Sequence, residues 1–236
     1  GENKASPSSQ CRVNAVGKAQ PISTHDQVLG GATGQVFEGC TFPAHPDYRM
    51  EIQEAGMRVA EVLASRGAMG RFATDFVSVP DGNGGWEHHA IEVNLRKGGT
   101  TPPFLTLRFL TDGHYEPATG EFFTQNGESK TYFASDTLQD EAYRGLHPDD
   151  LIDIAVYHGL HFYHSTERGT VFHLMGALSE FGKLGMVCIP SRTGRKSAAR
   201  VRRRRGFSTQ VASGKLRARA HGFRSGTRPP RTCGTT

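Results

Sequence analysis

The 236-residue sequence lacks several features that define large classes of protein. No apolar run approaches the ~20 residues of a membrane-spanning helix, which excludes a helical membrane protein. The N-terminus, GENKASPSSQ, has no apolar core of the kind found in secretory signals, so we expect a cytoplasmic location. The absence of a GxxxxGK[ST] segment excludes a P-loop nucleotide site.

Cysteine is scarce and widely spaced, at positions 11, 40, 188 and 233. Zinc ribbons and fingers need ligand pairs only a few residues apart, so this spacing excludes them. Without a secretory signal a disulfide framework is not expected, and the thiols are predicted to be reduced.

Acidic residues are absent from the end of the chain. Residues 1–189 carry 14 Lys and Arg against 23 Asp and Glu, whereas residues 190–236 carry 14 Lys and Arg and no acid. We therefore predict a folded domain over 1–189 and a disordered Arg-rich tail over 190–236, because such a composition buries too little apolar surface to fold.

Three interpretations of this tail remain open. An abrupt change to an Arg-rich, acid-free composition is typical of a shifted reading frame in GC-rich DNA. A basic arm that binds nucleic acid and a plain solvated linker are the alternatives. The run RVRRRRG (200–206) could neutralise phosphates without sequence preference, but it lacks interleaved aromatic residues for base stacking.

Hydrophobic periodicity in the first third of the chain predicts a strand, a loop and a helix. Residues 8–16 alternate polar and apolar and read as a strand that turns at Gly17, and the Gly-rich segment 23–35 reads as a loop. Residues 46–66 form the best helical pattern, with Pro46 at the first helical position.

Later segments mix short strands and helices. The runs 72–79 and 86–94 flank PDGNGG and predict a β-hairpin. We expect helices over 104–110 and 149–159, and short strands or buried segments in TVFHLMGAL and KLGMVCI. Residues 112–147 contain turn signals and little periodicity. Together these elements indicate an α+β domain.

The hairpin carries the strongest chemical signal. Glu92 and Asn94 are two residues apart on its second strand and so share a face. A turn centred between Asn83 and Gly84 would place Asp75 directly across from Glu92, whereas a slip of one residue would pair Asp75 with Ile91. The local sequence leaves that register open.

Two carboxylates and an amide oxygen are hard donors that suit Mg²⁺. Arg96 and Lys97 follow at once and could hold an anionic phosphate, while Gly98 and Gly99 would let the backbone approach a ligand closely. The alternative is a solvated strand face beside a basic loop, since acids on both strands of a hairpin are common.

The run GRFATDFVSV…HHAIEVNLRKGGTTPPF resembles the last metal-binding motif of ATP-grasp enzymes, where an Asp on one strand precedes E-x-N on the next. Further segments resemble the peptide ligases of the pheganomycin-biosynthesis type, and the match runs in order over roughly 6–189. They are SPSSQCRV, STHDQVLGG, AIEVNLRKGGTTPPFLTLRFLTDG, AYRGLHPDDLIDIAVYHGLHF and VFHLMGALSEFGKLGM. The resemblance implies the C-terminal part of an ATP-grasp fold, an antiparallel sheet with packed helices.

The resemblance also implies a reaction, in which ATP activates a carboxylate to an acyl phosphate and an amine then attacks to form an amide. ATP, Mg²⁺, and carboxylate and amine substrates are the implied partners. The implied metal ligands are Asp75, Glu92 and Asn94, the implied catalytic residues are Arg96 and Arg12, and the implied nucleotide-binding residues are Lys97, Gly98 and Gly99. Arg12 is placed beside the phosphate or the substrate carboxylate.

The sequence departs from the family pattern in three ways. The resemblance stops abruptly near Cys188–Ile189, where the tail begins. A His is expected in the GGTT-His-Pro loop, where this chain has Pro102. The lysine-bearing subdomain of the family precedes the matching stretch and is expected to be missing. Two alternatives therefore stand beside the ligase: an inactive ATP-grasp fragment, and a nucleic-acid-binding protein that acts through its basic tail.

Overall fold

The computed structural model of the protein describes residues 4–190, which form eleven strands and four α-helices. The strands are β1 (Pro7–Val13), β2 (Ala19–Gly30), β3 (Val36–Phe42), β4 (Gly70–Pro80), β5 (Trp86–Asn94), β6 (His114–Glu116), β7 (Glu121–Phe123), β8 (Ser129–Lys130), β9 (Tyr132–Gln139), β10 (Gly169–His173) and β11 (Lys183–Ile189). The helices are α1 (Arg49–Ser65), α2 (Thr101–Thr111), α3 (Pro148–Tyr157) and α4 (Leu178–Phe181).

Eight strands form one antiparallel sheet in the order β10-β11-β9-β3-β2-β1-β4-β5. The β11–β9, β9–β3 and β1–β4 pairs join segments far apart in sequence, whereas the β4–β5 hairpin at the sheet edge joins neighbouring segments. The short strands β6, β7 and β8 form a separate antiparallel sheet. The α+β class and the antiparallel sheet with packed helices predicted from the sequence are confirmed.

Helix α1 covers one face of the sheet at β1, β2 and β4. Its residue Gly56 lies against Ser9 of β1, where an added Cβ would come within 2.7 Å of the Ser9 Cβ. Cys11 and Phe72 join the apolar contact with the helix. Burial raises the pKa of the Cys11 thiol to about 11, and a hydrogen bond with Ser9 opposes that shift.

Helix α2 packs on the opposite face. Because successive strand residues alternate between faces, Ser8, Gln10 and Arg12 point away from α1. Phe104 and Leu107 of α2 belong to a buried cluster with Phe42, Tyr132 and Ile189 from the strands. At the far end of the sheet, a second cluster joins α3 and α4 to β11.

The largest differences between the predicted elements and the structure concern three segments. Residues 23–30, predicted as loop, belong to β2, because that strand pairs with β1 on one side and β3 on the other. This two-sided pairing and the burial of Thr24 and His25 outweigh the weak strand preference of small polar residues. The 112–147 segment contains the eight-residue strand β9, which the lack of periodicity did not indicate.

Helix α1 begins at Arg49 rather than at Pro46. The carbonyl of His45 accepts hydrogen bonds from the backbone N–H groups of Tyr48 and Arg49, so a turn precedes the helix. The side chain of Asp26 accepts from the His45 N–H and from the Tyr48 hydroxyl, which anchors this turn to β2.

In residues 4–190, no helix has both the length and the apolar character needed to cross a membrane. The predicted disorder, frameshift and nucleic-acid binding of the tail concern residues 191–236, which lie outside the described part. The predicted boundary at residue 190 and the cytoplasmic location stay predictions.

Candidate functional site

A β-bulge sets the register of the candidate site. From Pro80↔Trp86 to Phe76↔Ala90 the hairpin pairs regularly, and the register then shifts by one residue. Ile91 is left without a partner on β4, so Asp75 pairs with Glu92 and Ala73 with Asn94. Bulges re-aim side chains in this way near functional sites. The pairing that the sequence left open is therefore the one that brings the carboxylates together.

A row of hydrogen bonds crosses three strands at this point. Ser8 Oγ on β1 donates to Asp75 Oδ1 at 2.5 Å, and Gln10 Nε2 donates to Ser8 Oγ at 2.9 Å. From β5, Asn94 Nδ2 donates to Asp75 Oδ2 at 3.1 Å. Both oxygens of Asp75 are thus held in place, and the carboxylate orientation is fixed.

Opposing influences act on the pKa of Asp75. Burial raises the pKa of Asp75 above its ordinary value of 3.8, and the neighbouring charge of Glu92 acts in the same direction. The hydrogen bonds from Ser8 and Asn94 and the charge of Arg96 lower the pKa. The charge of Arg96, in the loop that follows β5, is the smallest of these influences on Asp75.

The donor set fits a hard divalent cation. Asp75 and Glu92 supply carboxylate oxygens, and Asn94 directs its amide nitrogen to Asp75, which leaves its amide oxygen available as a ligand. Within residues 4–190 no group of three or more His, Cys, Asp or Glu side chains is arranged so that it could hold a metal ion by itself. A cation here would therefore complete its shell with ligand oxygens or water, as Mg²⁺ commonly does.

The loop between β5 and α2 carries the other predicted residues. Arg96 and Lys97 are exposed, and a Cβ added to Gly98 would meet no atom within 4 Å. A Cβ added to Gly99 would come within 2.5 Å of the Phe37 ring, so the close approach at Gly99 is to a partly buried side chain of the protein itself. Pro102 is exposed in the first turn of α2, a position that tolerates proline.

Arg12 lies with other arginines rather than with the carboxylates. It pairs across strands with Arg71 of β4, four residues beyond the Ser8↔Asp75 pair. At the usual rise per strand residue, this places the Arg12 backbone about 13 Å from that pair. Burial lowers the pKa of Arg71, and the charges of Arg12 and of Arg108 from α2 add to the effect.

Sequence reasoning missed Ser8, Arg71 and Arg108. The first two carried a usable signal, since Ser8 and Arg12 share a strand face with spacing four, as do Arg71 and Asp75. Arg108 gave none, because its position depends on how α2 packs over the sheet.

Three comparisons with known proteins bear on this geometry. Residues 150–205 match the family model described as the PGM1 C-terminal domain, a range that continues past residue 190. The chain is 34% identical over 177 residues to an L-propargylglycine–L-glutamate ligase of Streptantibioticus cattleyicolor, covering 75% of this chain and 35% of that protein. The chain thus spans about a third of that relative's length.

A solved structure shows the same architecture. N5-carboxyaminoimidazole synthetase from Staphylococcus aureus superposes with a TM-score of 0.50 at 13% identity, over 90% of this chain and 50% of that one. The chain has an ATP-grasp fold. The same enzyme complexed with ADP superposes with a TM-score of 0.47 at 14% identity, over 89% of this chain and 51% of that one.

These findings confirm the resemblance to ATP-grasp carboxylate–amine ligases that the sequence indicated. In this chain with an ATP-grasp fold, Asp75 lies on β4 and Glu92 and Asn94 lie on β5. The individual roles of the metal, nucleotide and arginine residues stay predictions.

Proposed function

We propose that the protein takes part in ATP- and Mg²⁺-dependent ligation of a carboxylate to an amine. The observation that carries this proposal is the bulge-set pairing of Asp75 with Glu92, which adds Asn94 and Arg96 to one electrostatic group. The similar protein from Streptantibioticus cattleyicolor is named as a ligase of L-propargylglycine and L-glutamate, and this name supports the reaction class.

Asp75, Glu92 and Asn94 would hold Mg²⁺, and Ser8 would fix the orientation of Asp75. When bound, the cation would neutralise charge on the ATP phosphates. Arg96 stands beside this group and would offset negative charge on the transferred phosphoryl group, with Lys97 in the adjoining loop. Such positioning and charge stabilisation account for most of the catalysis of phosphoryl transfer.

The proposed reaction has two steps. An oxygen of the substrate carboxylate attacks the γ-phosphorus of ATP, the bond from that phosphorus to the bridging oxygen breaks, and ADP leaves. The amine nitrogen of the second substrate then attacks the acyl carbon, its carbon–oxygen bond to phosphate breaks, and the nitrogen loses a proton. The products are an amide and inorganic phosphate, and no covalent bond to the protein forms.

Calorimetric titration of ATP into the 236-residue protein, with Mg²⁺ or with EDTA, tests the proposal. Wild-type protein should bind ATP only with Mg²⁺. Glu92→Gln and Asp75→Asn should each weaken that binding by at least about tenfold, since even residues that only orient metal ligands are worth about that much. Glu87→Gln is the matched control, because Glu87 is an exposed acid on the same strand at its other end.

Unchanged ATP binding in Glu92→Gln, with wild-type folding by circular dichroism, would refute the assigned site. Wild-type protein that does not bind ATP would favour the alternative of an inactive ATP-grasp fragment. The nucleic-acid alternative depends on residues outside the described part and is tested by RNA binding with and without residues 190–236.

A further inference from the structure

A buried glutamine lies beside the candidate metal ligands. Gln10 is two residues from Ser8 on β1, so both side chains lie on the sheet face that carries Asp75. Gln10 is 7% exposed and Ser8 is 1% exposed. Burial of a carboxamide costs free energy unless the group is hydrogen-bonded, and Gln10 Nε2 donates to Ser8 Oγ at 2.9 Å. The buried amide of Gln10 thus contacts the residue that holds Asp75.

The hydroxyl proton of Ser8 can point in only one direction. An ionised carboxylate accepts hydrogen bonds and donates none, so the hydrogen bond of 2.5 Å between Ser8 Oγ and Asp75 Oδ1 uses the Ser8 proton. Ser8 has no second proton to donate. Gln10 must therefore present its NH₂ group to Ser8 rather than its oxygen. Every proton in this chain of hydrogen bonds points towards Asp75.

Irregular strand pairing borders this chain of hydrogen bonds on both sides. In the described sheet, Ile91 of β5 has no partner on β4, and Ile22 of β2 has no partner on β1, because the register of β1 and β2 shifts beside Gln10. Bulges re-aim side chains and are over-represented next to functional sites. The row that runs from Gln10 through Ser8 to Asp75 thus lies between two bulges.

We propose that Gln10 is a positioning residue for the candidate metal site and acts through Ser8. By donating to Ser8, Gln10 keeps the Ser8 proton on Asp75 Oδ1, while Asn94 donates to Asp75 Oδ2. Gln10 itself would not bind the cation. This inference rests on the proposed function, because that function supplies the cation that Asp75 would hold. Groups that orient metal ligands typically change metal affinity by about ten- to a hundredfold.

The alternative role of a buried glutamine is structural, and Gln53 of α1 provides an example. Gln53 is 8% exposed, its Nε2 donates to the Pro117 carbonyl, and its Oε1 accepts from the Tyr115 hydroxyl. These contacts join α1 to β6 and to the residue that follows it, and they include no residue of the candidate site. Gln53→Met is therefore a matched control for Gln10→Met, since each variant removes a buried carboxamide of the same size.

Calorimetric titration of ATP with Mg²⁺ into the 236-residue protein tests this role. Ser8→Ala should weaken ATP binding by about tenfold, because Asp75 loses a group that orients it. Gln10→Met should weaken ATP binding by about threefold, since it removes one neutral hydrogen bond and keeps the side-chain length. Gln53→Met should bind ATP as wild type does. The double variant of Ser8→Ala with Gln10→Met should bind ATP like Ser8→Ala alone, because Gln10 acts only through Ser8.

Nuclear magnetic resonance provides a second measurement that needs no ligand. Asn94 lies two strands from Gln10, through the pairs Gln10↔Ala73 and Ala73↔Asn94. In ¹⁵N-labelled protein, Gln10→Met should shift the side-chain amide resonance of Asn94, because a rotation of Asp75 changes the hydrogen bond that Asn94 donates to it. Gln53→Met should leave that resonance unchanged. Circular dichroism of each variant verifies that it is folded.

Several results would overturn the positioning role. Equal losses of ATP binding in Gln10→Met and Gln53→Met would show a structural role only, and additive losses in the double variant would show that Gln10 acts apart from Ser8. Wild-type ATP binding by Gln10→Met, or an unchanged Asn94 resonance in that variant, would show that Gln10 does not orient Asp75. Wild-type protein that does not bind ATP would refute the proposed function instead, and the Asn94 resonance would still decide whether Gln10 orients Asp75.

Discussion

Asp75 and Glu92 face each other across β4 and β5 because Ile91 bulges out of the ladder between them and the hairpin turn. Ile91 is 63% exposed at the sheet edge, where the extra residue costs little packing. Without this bulge the regular register from the turn would place Ile91 across from Asp75. The candidate metal site therefore depends on one unpaired residue that is not itself a ligand.

The register predicts which engineered cysteine pair can cross-link. Asp75→Cys combined with Glu92→Cys should form a disulfide under mild oxidation, because Cα partners in an antiparallel ladder lie within disulfide range. Asp75→Cys combined with Ile91→Cys should not, since the bulged residue is out of register. Mass spectrometry of unreduced digests measures the linked fraction, and preferential linkage to position 91 would contradict the pairing.

Because the pKa of Asp75 is raised in the folded protein, the contribution of this residue to the free energy of unfolding should depend on pH. Burial makes the folded state bind this proton more tightly than the unfolded state. The corresponding stabilisation is therefore fully present below the ordinary pKa and is lost as the pH rises through the raised pKa. Asp75→Asn is neutral at every pH, so its free energy of unfolding relative to wild type should increase from acidic to neutral pH.

Urea unfolding at a series of pH values between about 3 and 7 measures this trend. Asp153→Asn on α3 is the control, because Asp153 is exposed to solvent whereas Asp75 is partly buried. A relative stability of Asp75→Asn that stays constant with pH, or decreases towards neutral pH, would contradict the buried-charge assignment.

Alanine substitutions at Gly98 and Gly99 should have unequal effects on the stability of the protein. Gly99→Ala should lower the free energy of unfolding by about 1 kcal/mol, because its Cβ would press into the partly buried Phe37 ring, which packs against the core. Gly98→Ala should change it by less than about 0.5 kcal/mol, since nothing lies within reach of its Cβ. Chemical denaturation of both variants provides the comparison, and equal stabilities would show that the loop is not held against Phe37.

We expect the partly buried ion pairs of Lys130 to contribute strongly to the stability of the folded protein. The Lys130 side chain is 7% exposed and contacts Glu128 and Glu167, each at 3.2 Å. Lys130→Met should destabilise the protein by about 2 kcal/mol, because it leaves two carboxylates without their cation. Arg58→Gln breaks the exposed pair with Glu54 and should cost less than about 0.5 kcal/mol. Similar costs in urea unfolding would indicate that the burial of Lys130 is unimportant.

Local patterns in the sequence were sufficient to predict much of this site. Alternation on both sides of PDGNGG indicates the hairpin, and the two-residue spacing of Glu92 and Asn94 places them on one face. The motif resemblance supplied the ATP-grasp architecture, which the structure confirms. The hairpin and the shared face of Glu92 and Asn94 depend on neighbours within one hairpin, whereas the architecture was indicated by segments spread over roughly residues 6–189.

Tertiary contacts decided the rest. The hydrogen bond from Ser8 to Asp75 and the pairing of Arg12 with Arg71 both join segments far apart in the chain. The sequence by itself determined which chemical groups the hairpin carries. The pairing of distant strands, a one-residue bulge and the burial around Asp75 determined which groups meet, because register and desolvation depend on neighbours that local propensity does not encode.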